Sequence, residues 1–356
     1  MLYYVQDSIN NLLISASEVD ESRTSCGNSC PRKSKFPQGE GVQITKTYGV
    51  NHLQQFMIGQ YGGFDYSKFR KDFKAGFYGI EACSFKSEED CLNLIAEAQQ
   101  HQFHTGVHFP LRADPARLRD ALFLSPDEYE RAEAFRHIQE ELDYMVNLRP
   151  GYVLFHYPKP VILDDRVDWQ QWRFSDRREY IYESETSLEE LIRHSEYLFD
   201  WLSRKGREYH FQPILEFDGL NSYVYNQDFL ERLLVRYPDI KLCLDTARLY
   251  QQDRFDPNFD ARALLRRYTK YAALIHLSTV QVKDTVRHSH YPALPELSPA
   301  DGWAPIEDYL RIIREENSGV RIMFEHRSDL ITTEQLERCY AWVDGILSGA
   351  AEASGA

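Results

Sequence analysis

The sequence predicts a closed (β/α)8 barrel, and three observations carry that prediction. From residue 56 onward, eight short runs of apolar, β-branched or aromatic residues alternate with eight longer amphipathic stretches. The short runs are apolar on both faces, as strands are when helices cover a parallel sheet. Polar side chains then close one run after another at the same end, and the C-terminal rim of the strands is where such barrels carry their chemistry. A doubly wound sheet also accommodates eight strands, but eight is the number that closes a barrel.

Along the chain, strands are expected at residues 56–60, 79–82, 105–109, 152–156, 213–217, 241–244, 273–277 and 321–324. The stretches 66–75, 88–100, 126–147, 187–205, 227–237, 261–271, 305–316 and 333–347 read as helices. Leu188, Leu191, Ile192 and Leu198 show the spacing of a buried helical face. Ser187 with Glu190 three residues later is the signature of a capping box. Two connections, 157–186 and 278–304, are long for a compact domain, and loops of that length usually serve function. Both follow strands, so both are expected over the chemical rim. In the first, Trp169, Trp172 and Phe174 are candidates to close over a substrate, with a satellite core or a dimer contact as the alternative. The second carries His288, His290 and Trp303.

Residues 53–348 are thus expected to form one catalytic domain. Residues 1–52 read as an appendage: the opening 15 residues have no sustained period, and 18–35 are polar and turn-rich, too poor in apolar surface to offset ordering entropy. The small-residue tail 349–356 is expected to fray. Six cysteines in 356 residues are too few for a disulfide scaffold, so a reducing cytoplasm is expected. Cys83 and Cys243 lie in apolar runs as small core residues, while Cys26 and Cys30 form a C-x3-C pair with no second pair near enough for a zinc site. No apolar run is long enough for a membrane span, and the N-terminus lacks a basic start followed by an apolar core. Lys and Arg total 41 against 55 Asp and Glu, a net charge of −14, which disfavours nucleic acid as partner. A small molecule is the expected partner, and a homo-oligomer stays open. Neither G-x-G-x-x-G after a strand nor a phosphate-binding G-x-x-x-x-G-K-[ST] loop occurs, so no nucleotide cofactor is expected.

The rim residues in order are His108, His156, Glu216, Asp245, His276 and Glu325. Each directly follows apolar residues. Any one alone has an ordinary explanation, such as Asp245 capping a helix. Carboxylates converging at one rim repel unless something positive neutralises them, and a divalent cation does so directly. Three carboxylates and one imidazole, Glu216, Asp245, His276 and Glu325, suit Mn²⁺, Co²⁺, Mg²⁺ or Zn²⁺. No thiolate takes part, so a closed structural zinc site is not expected.

In Gly79-Ile-Glu81, Leu215-Glu216, Leu244-Asp245-Thr246, Ile275-His276-Leu277 and Phe324-Glu325, the chain resembles the xylose isomerase-like TIM barrels. That superfamily includes sugar phosphate isomerases and epimerases and AP endonuclease family 2. The resemblance covers residues 56–347, and its short motifs persuade by their order and strand phase. It implies a metal on Glu216, Asp245, His276 and Glu325, with Glu216 and Glu325 also acting as the acid–base pair across the substrate. The AP endonuclease branch implies three zinc ions. His108 and His156 match two of its added ligands, but Arg248 stands where a further histidine is expected, and Val286-Arg-His-Ser-His290 gives no clean counterpart to its Asp-x-His.

The first function expected is therefore metal-dependent isomerisation or epimerisation of a small polyhydroxylated carbonyl compound. A metal-dependent hydrolase or phosphoesterase, and a barrel that only binds a metabolite, are the alternatives. His108, His156, Arg248, His290, Arg327 and Trp172 are the substrate-binding candidates. Arg248, Arg327 and Arg112 are candidate anion clamps, because guanidinium binds phosphate and carboxylate bidentately. His326 either orients Glu325 or stands in an exposed loop.

Overall fold

The structure, a computed structural model, describes residues 52–113 and 118–349. The N-terminal appendage with its Cys26 and Cys30 and the C-terminal tail lie outside the described residues, apart from His52 and Gly349 at their inner ends. Eight parallel strands close into a barrel: β1 (Phe56–Tyr61), β2 (Gly79–Cys83), β3 (His104–His108), β4 (Tyr152–Tyr157), β7 (Gln212–Phe217), β8 (Lys241–Asp245), β9 (Ala272–Leu277) and β12 (Arg321–Phe324), which returns to β1. All eight lie where the apolar runs predicted them, within a residue or so at each end.

Two apolar layers build the barrel, and β1, β4, β7, β8, β9 and β12 contribute to both by period-two alternation. Met57, Tyr152, Leu154, Ile214, Cys243, Leu274 and Met323 pack together as one buried cluster. The intervening residues, such as Val153, Phe155, Leu215, Leu242, Ile275 and Ile322, belong to the larger core shared with the helices. The barrel filling needs one close approach: a Cβ on Gly106 would lie 2.1 Å from the Tyr152 ring. Only glycine leaves β3 room for that ring beside β4.

Helices α1 (Tyr66–Asp72), α2 (Glu88–His101), α3 (Glu128–Tyr144) and α4 (Leu188–Tyr209) follow the expected stretches. So do α6 (Phe229–Arg236), α8 (Ala261–Tyr268), α9 (Ile306–Glu316) and α10 (Thr333–Leu347); the short α5 (Ser222–Tyr225) precedes α6. The capping box of α4 is formed as read: Ser187 Oγ accepts from the Glu190 N–H at 3.2 Å, and Glu190 accepts from the Ser187 N–H at 3.1 Å. Such a cap contributes about 1 kcal/mol.

Two helices escaped the sequence pattern, the short α5 and the longer α7 (Thr246–Phe255), which springs directly from β8. Its inward side includes Gln252, whose Oε1 accepts from the Leu220 N–H at 2.9 Å, so its buried face is not an apolar stripe. The two long connections are also structured. The first carries β5 (Val161–Leu163) and β6 (Tyr180–Tyr182), paired in parallel, and the second the antiparallel hairpin of β10 (Thr279–Val282) and β11 (Val286–Tyr291). Among the described residues, no helix is long and apolar enough to cross a membrane.

Candidate active site

Strand register brings the polar residues together. His156 is the register partner of Glu216 across β4 and β7, and Asp245 is the partner of His276 across β8 and β9. His156, Glu216, Asp245 and His276 each stand two residues beyond a member of the barrel-filling layer: Leu154, Ile214, Cys243 and Leu274. The apolar filling thus gives way, one step along each strand, to a polar layer at the C-terminal rim. Glu325 follows β12 in the same phase, two residues after Met323.

Among the described residues four groups of metal-ligand atoms result, each with its atoms within 4.8 Å of one another, and two of them hold the rim residues alone. Glu216, Asp245, His276 and Glu325 form the first, and His108, His156 and Glu216 the second, so Glu216 belongs to both. In the first, His276 Nδ1 lies 3.2 Å from Glu216 Oε1 and 3.4 Å from Glu325 Oε2. Asp245 divides its work: Oδ1 caps α7 by accepting from the N–H groups of Ala247 and Arg248 at 2.8 and 3.1 Å, which leaves Oδ2 free of that duty. The capping role and the place in the ligand group therefore coexist.

In the second group, Glu216 Oε2 lies 3.2 Å from His108 Nε2 and 3.0 Å from His156 Nε2, yet accepts no hydrogen bond of good geometry. The other nitrogen of each ring is engaged. His108 Nδ1 lies 3.1 Å from the Phe109 carbonyl, and His156 Nδ1 lies 2.8 Å from Asp120 Oδ2. Nε2 of both rings therefore faces the same carboxylate oxygen, a donor set that one cation could share.

The electrostatics of the first group fit a cation as well. Burial, then the neighbouring Glu325 carboxylate, pushes Asp245 up to about 6. Burial opposes ionisation of Glu216 too, but His276 and His156 hold it well below the usual carboxylate range. Burial likewise works against Glu325, and His276 beside it holds it below its ordinary value. His276 itself resists charging through burial, while Cys243 and the carboxylates of Glu81, Glu216 and Glu325 raise it well above an ordinary histidine. The buried carboxylates are thus partly balanced by the His276 imidazole, and a divalent ion at the same place would neutralise them directly.

The structure also supplies participants that the sequence reading missed. Glu81, fully buried, accepts from the Tyr152 hydroxyl at 2.7 Å and lies 3.2 Å from His276 Nε2. Its motif was visible, but its partners come from β4 and β9. The Tyr61 hydroxyl donates to Glu325 Oε1 at 2.8 Å. Buried Lys159 bridges Asp120 and Asp218 at 3.0 and 2.8 Å. Among the substrate-binding candidates, Arg248 is drawn in by carboxylates: its Nη1 donates to Asp218 at 2.7 Å, and its Nε lies 3.5 Å from Asp245. This is the salt-bridge geometry, not a free anion clamp. Trp172 packs with Val161, Leu163 and Trp169 in a satellite core, and also lines a pocket of about 320 Å³ with Asp245, Arg248 and His290.

The structure gives Arg327, Arg112 and His326 other surroundings. Arg327 is not gathered into this site; its guanidinium pairs with Asp329 at 2.6 Å on the surface. Arg112 is no anion clamp either, because its Nε holds the buried Glu141 at 2.6 Å. His326 neither orients Glu325 nor stands exposed: it is buried, both ring nitrogens lack a hydrogen-bond partner, and burial, with Lys68 and Lys71 nearby, draws it down to about 3.

Residues 69–344 match the family model described as xylose isomerase-like TIM barrel. No curated protein matches the chain in sequence. Similar solved structures include a D-tagatose 3-epimerase-like protein at 10% identity, covering 83% of this chain and 99% of that one with a TM-score of 0.55. The TTHB071 protein from Thermus thermophilus, soaked with ZnCl2, is 16% identical over 82% of this chain and 97% of its own, with a TM-score of 0.52. The 3-keto-D-glucoside 4-epimerase YcjR from E. coli is 12% identical over 82% and 98%, with a TM-score of 0.51. At these identities the likeness is one of fold.

Proposed function

The chain belongs to the xylose isomerase-like TIM barrel family, and from that premise we propose that it is a divalent-metal-dependent isomerase or epimerase of a small polyhydroxylated carbonyl compound. The observation that carries the reading is the placement of Glu216 and Glu325 around one imidazole nitrogen, within a single ligand group with Asp245. In the barrel, β8 and β9 separate the strands that bear the two glutamates, so a substrate over His276 would have one carboxylate on each side. Epimerase names among the solved structures of this fold agree with the proposal.

Glu216, Asp245, His276 and Glu325 would hold the ion. When bound, it supplies Lewis-acid polarisation of the substrate's carbonyl and hydroxyl oxygens, which acidifies the adjacent C–H. The chain's own groups move the proton. One glutamate takes it from the carbon beside the carbonyl; the other delivers a proton to the opposite face, inverting that centre, or to the neighbouring carbon, isomerising the compound. Glu325, with one oxygen fixed by the Tyr61 hydroxyl, is placed for the accepting role. Glu216→Gln and Glu325→Gln should each slow turnover by about 10²–10⁴-fold. Purified protein should exchange a substrate C–H with deuterated solvent; turnover without exchange would reject the proton-transfer route.

A second reading rests on the other ligand group. Glu216 shared between two sites is the arrangement of a two-metal hydrolase, in which paired ions about 3.5–4 Å apart hold the attacking and leaving oxygens. Two ions per chain, with cleavage of a phosphodiester, would favour it over the isomerase.

A further inference from the structure

The pocket beside the metal-ligand group has an unusual charge balance. It is about 320 Å³, lies between the Trp172 loop and the β10–β11 hairpin, and is lined by three arginines, Arg173, Arg248 and Arg287, together with His290. Its one lining carboxylate, Asp245, already belongs to the ligand group and caps α7. Arg248 is committed to Asp218. Arg173 and Arg287 have no ion pair among the described residues, although the chain carries a net charge of −14 and salt bridges are common elsewhere on its surface. Two loops far apart in sequence thus bring two unspent guanidiniums to one cavity.

The loops are fixed to each other and to the rim. Gln171 Nε2 donates to the Asp284 carbonyl at 3.1 Å, which ties the Trp172 loop to the hairpin turn, and Gln251 of α7 donates to the Gln171 carbonyl at 3.4 Å. Gln171 also keeps a buried Oε1 with no hydrogen-bond partner, and it lines the same pocket.

From this juxtaposition we propose that the pocket is an anion subsite, and that the substrate carries a phosphate or carboxylate at the end remote from the reacting carbon, held by Arg173 and Arg287. The orientation rests on the isomerase reading: the carbonyl end lies over His276, the hydroxyls pass Gln171, and the anion enters between the two arginines. The planar fork of each guanidinium binds either oxyanion through paired charge-assisted bonds. Arg248, tied into the carboxylates, acts as a positioning residue between this subsite and the ligand group.

The test is calorimetric titration of full-length, EDTA-stripped protein with inorganic phosphate, with glycerate and with D-fructose, so that metal ligation by the anion plays no part. Phosphate or glycerate should bind and D-fructose should not, and affinity should fall at least tenfold between 50 and 500 mM NaCl. The tighter of the two anions identifies the substrate's charged group. Arg173→Gln with Arg287→Gln should weaken that binding at least tenfold, with Mn²⁺ uptake and melting temperature unchanged because both side chains are exposed; Arg→Lys at the same positions should restore part of it. Equal anion binding by wild type and double variant, or none by wild type, overturns the subsite while leaving the isomerase reading intact. That reading fails separately, on absence of uptake of Mn²⁺, Co²⁺, Mg²⁺ and Zn²⁺ by wild type.

Discussion

Glu81 offers the sharpest test of how the ligand group is held. Its Oε2 meets two donors, the Tyr152 hydroxyl at 2.7 Å and His276 Nε2 at 3.2 Å, and it is fully buried. A carboxylate that accepts the distal N–H of a ligating histidine fixes the ring's tautomer and raises its basicity. Glu81→Gln preserves shape and removes the charge. A hydrogen bond to a charged group contributes about 1.5–3 kcal/mol net. The amide keeps one acceptor for these donors but sets an NH2 at the position of Oε1, which has no partner. Loss of about half to all of the charged bond corresponds to ~10–100-fold weaker metal binding, the range typical of such outer partners. Competition of Mn²⁺ or Zn²⁺ against a chelating dye measures it directly. The metal-free protein loses the same charge-assisted bond and gains a buried NH2 without a partner, so it should melt lower than wild type. The stabilisation produced by added metal should shrink as well. Tyr152→Phe, which removes only the other donor, should change metal affinity less than Glu81→Gln. Metal affinity within twofold of wild type in folded Glu81→Gln would show that His276 is oriented by something else, and the argument would fail.

Three further outcomes follow from the same geometry. Stripping the protein with EDTA and restoring Mn²⁺, Co²⁺, Mg²⁺ or Zn²⁺ at a hundredfold excess over Kd should raise stability by about 2.7 kcal/mol, seen as a higher Tm, and no shift with any of the four would remove the metal from this site. Gly106→Ala should destabilise by about 1–3 kcal/mol or more, since its Cβ would meet the buried Tyr152 ring at 2.1 Å, and should also weaken metal binding by displacing the hydroxyl that Glu81 holds. His137, buried on α3 against Phe109 at a ring separation of 5.0 Å, has its pKa lowered by burial, with Arg112 and Arg136 assisting and Glu140 opposing. The unfolded chain therefore takes up this proton first, near pH ~6.5, so the stability is present above that pH and is lost as pH falls below it. His137→Leu should flatten the denaturation midpoint between pH 7 and 5; an unchanged slope would refute the assignment.

The sequence by itself determined the barrel and most of its rim. Strands apolar on both faces leave a local record, because each residue's burial repeats with the strand's own period, and the shift from Leu154 to His156 or from Ile214 to Glu216 can be read two residues apart. The capping box of α4 is equally local. What the sequence left undetermined are pairings between distant segments. Arg248 can be placed one turn after Asp245 from sequence alone, but that Asp218 claims its guanidinium depends on how β7 and β8 sit side by side. The same holds for Glu81 and Tyr61, whose partners lie 195 and 264 residues away. Trp172 reads in the sequence as a lid or as part of a satellite core, and the structure places it in the satellite core, because a long loop with enough apolar residues buries them on itself. His326 follows a ligand in sequence, yet the chain's turn after β12 sends it inward against Phe324 and Tyr340. Period and local hydrogen bonding are properties of neighbours along the chain; charge pairing and cavity lining belong to neighbours in space, and only the closed barrel decides which those are.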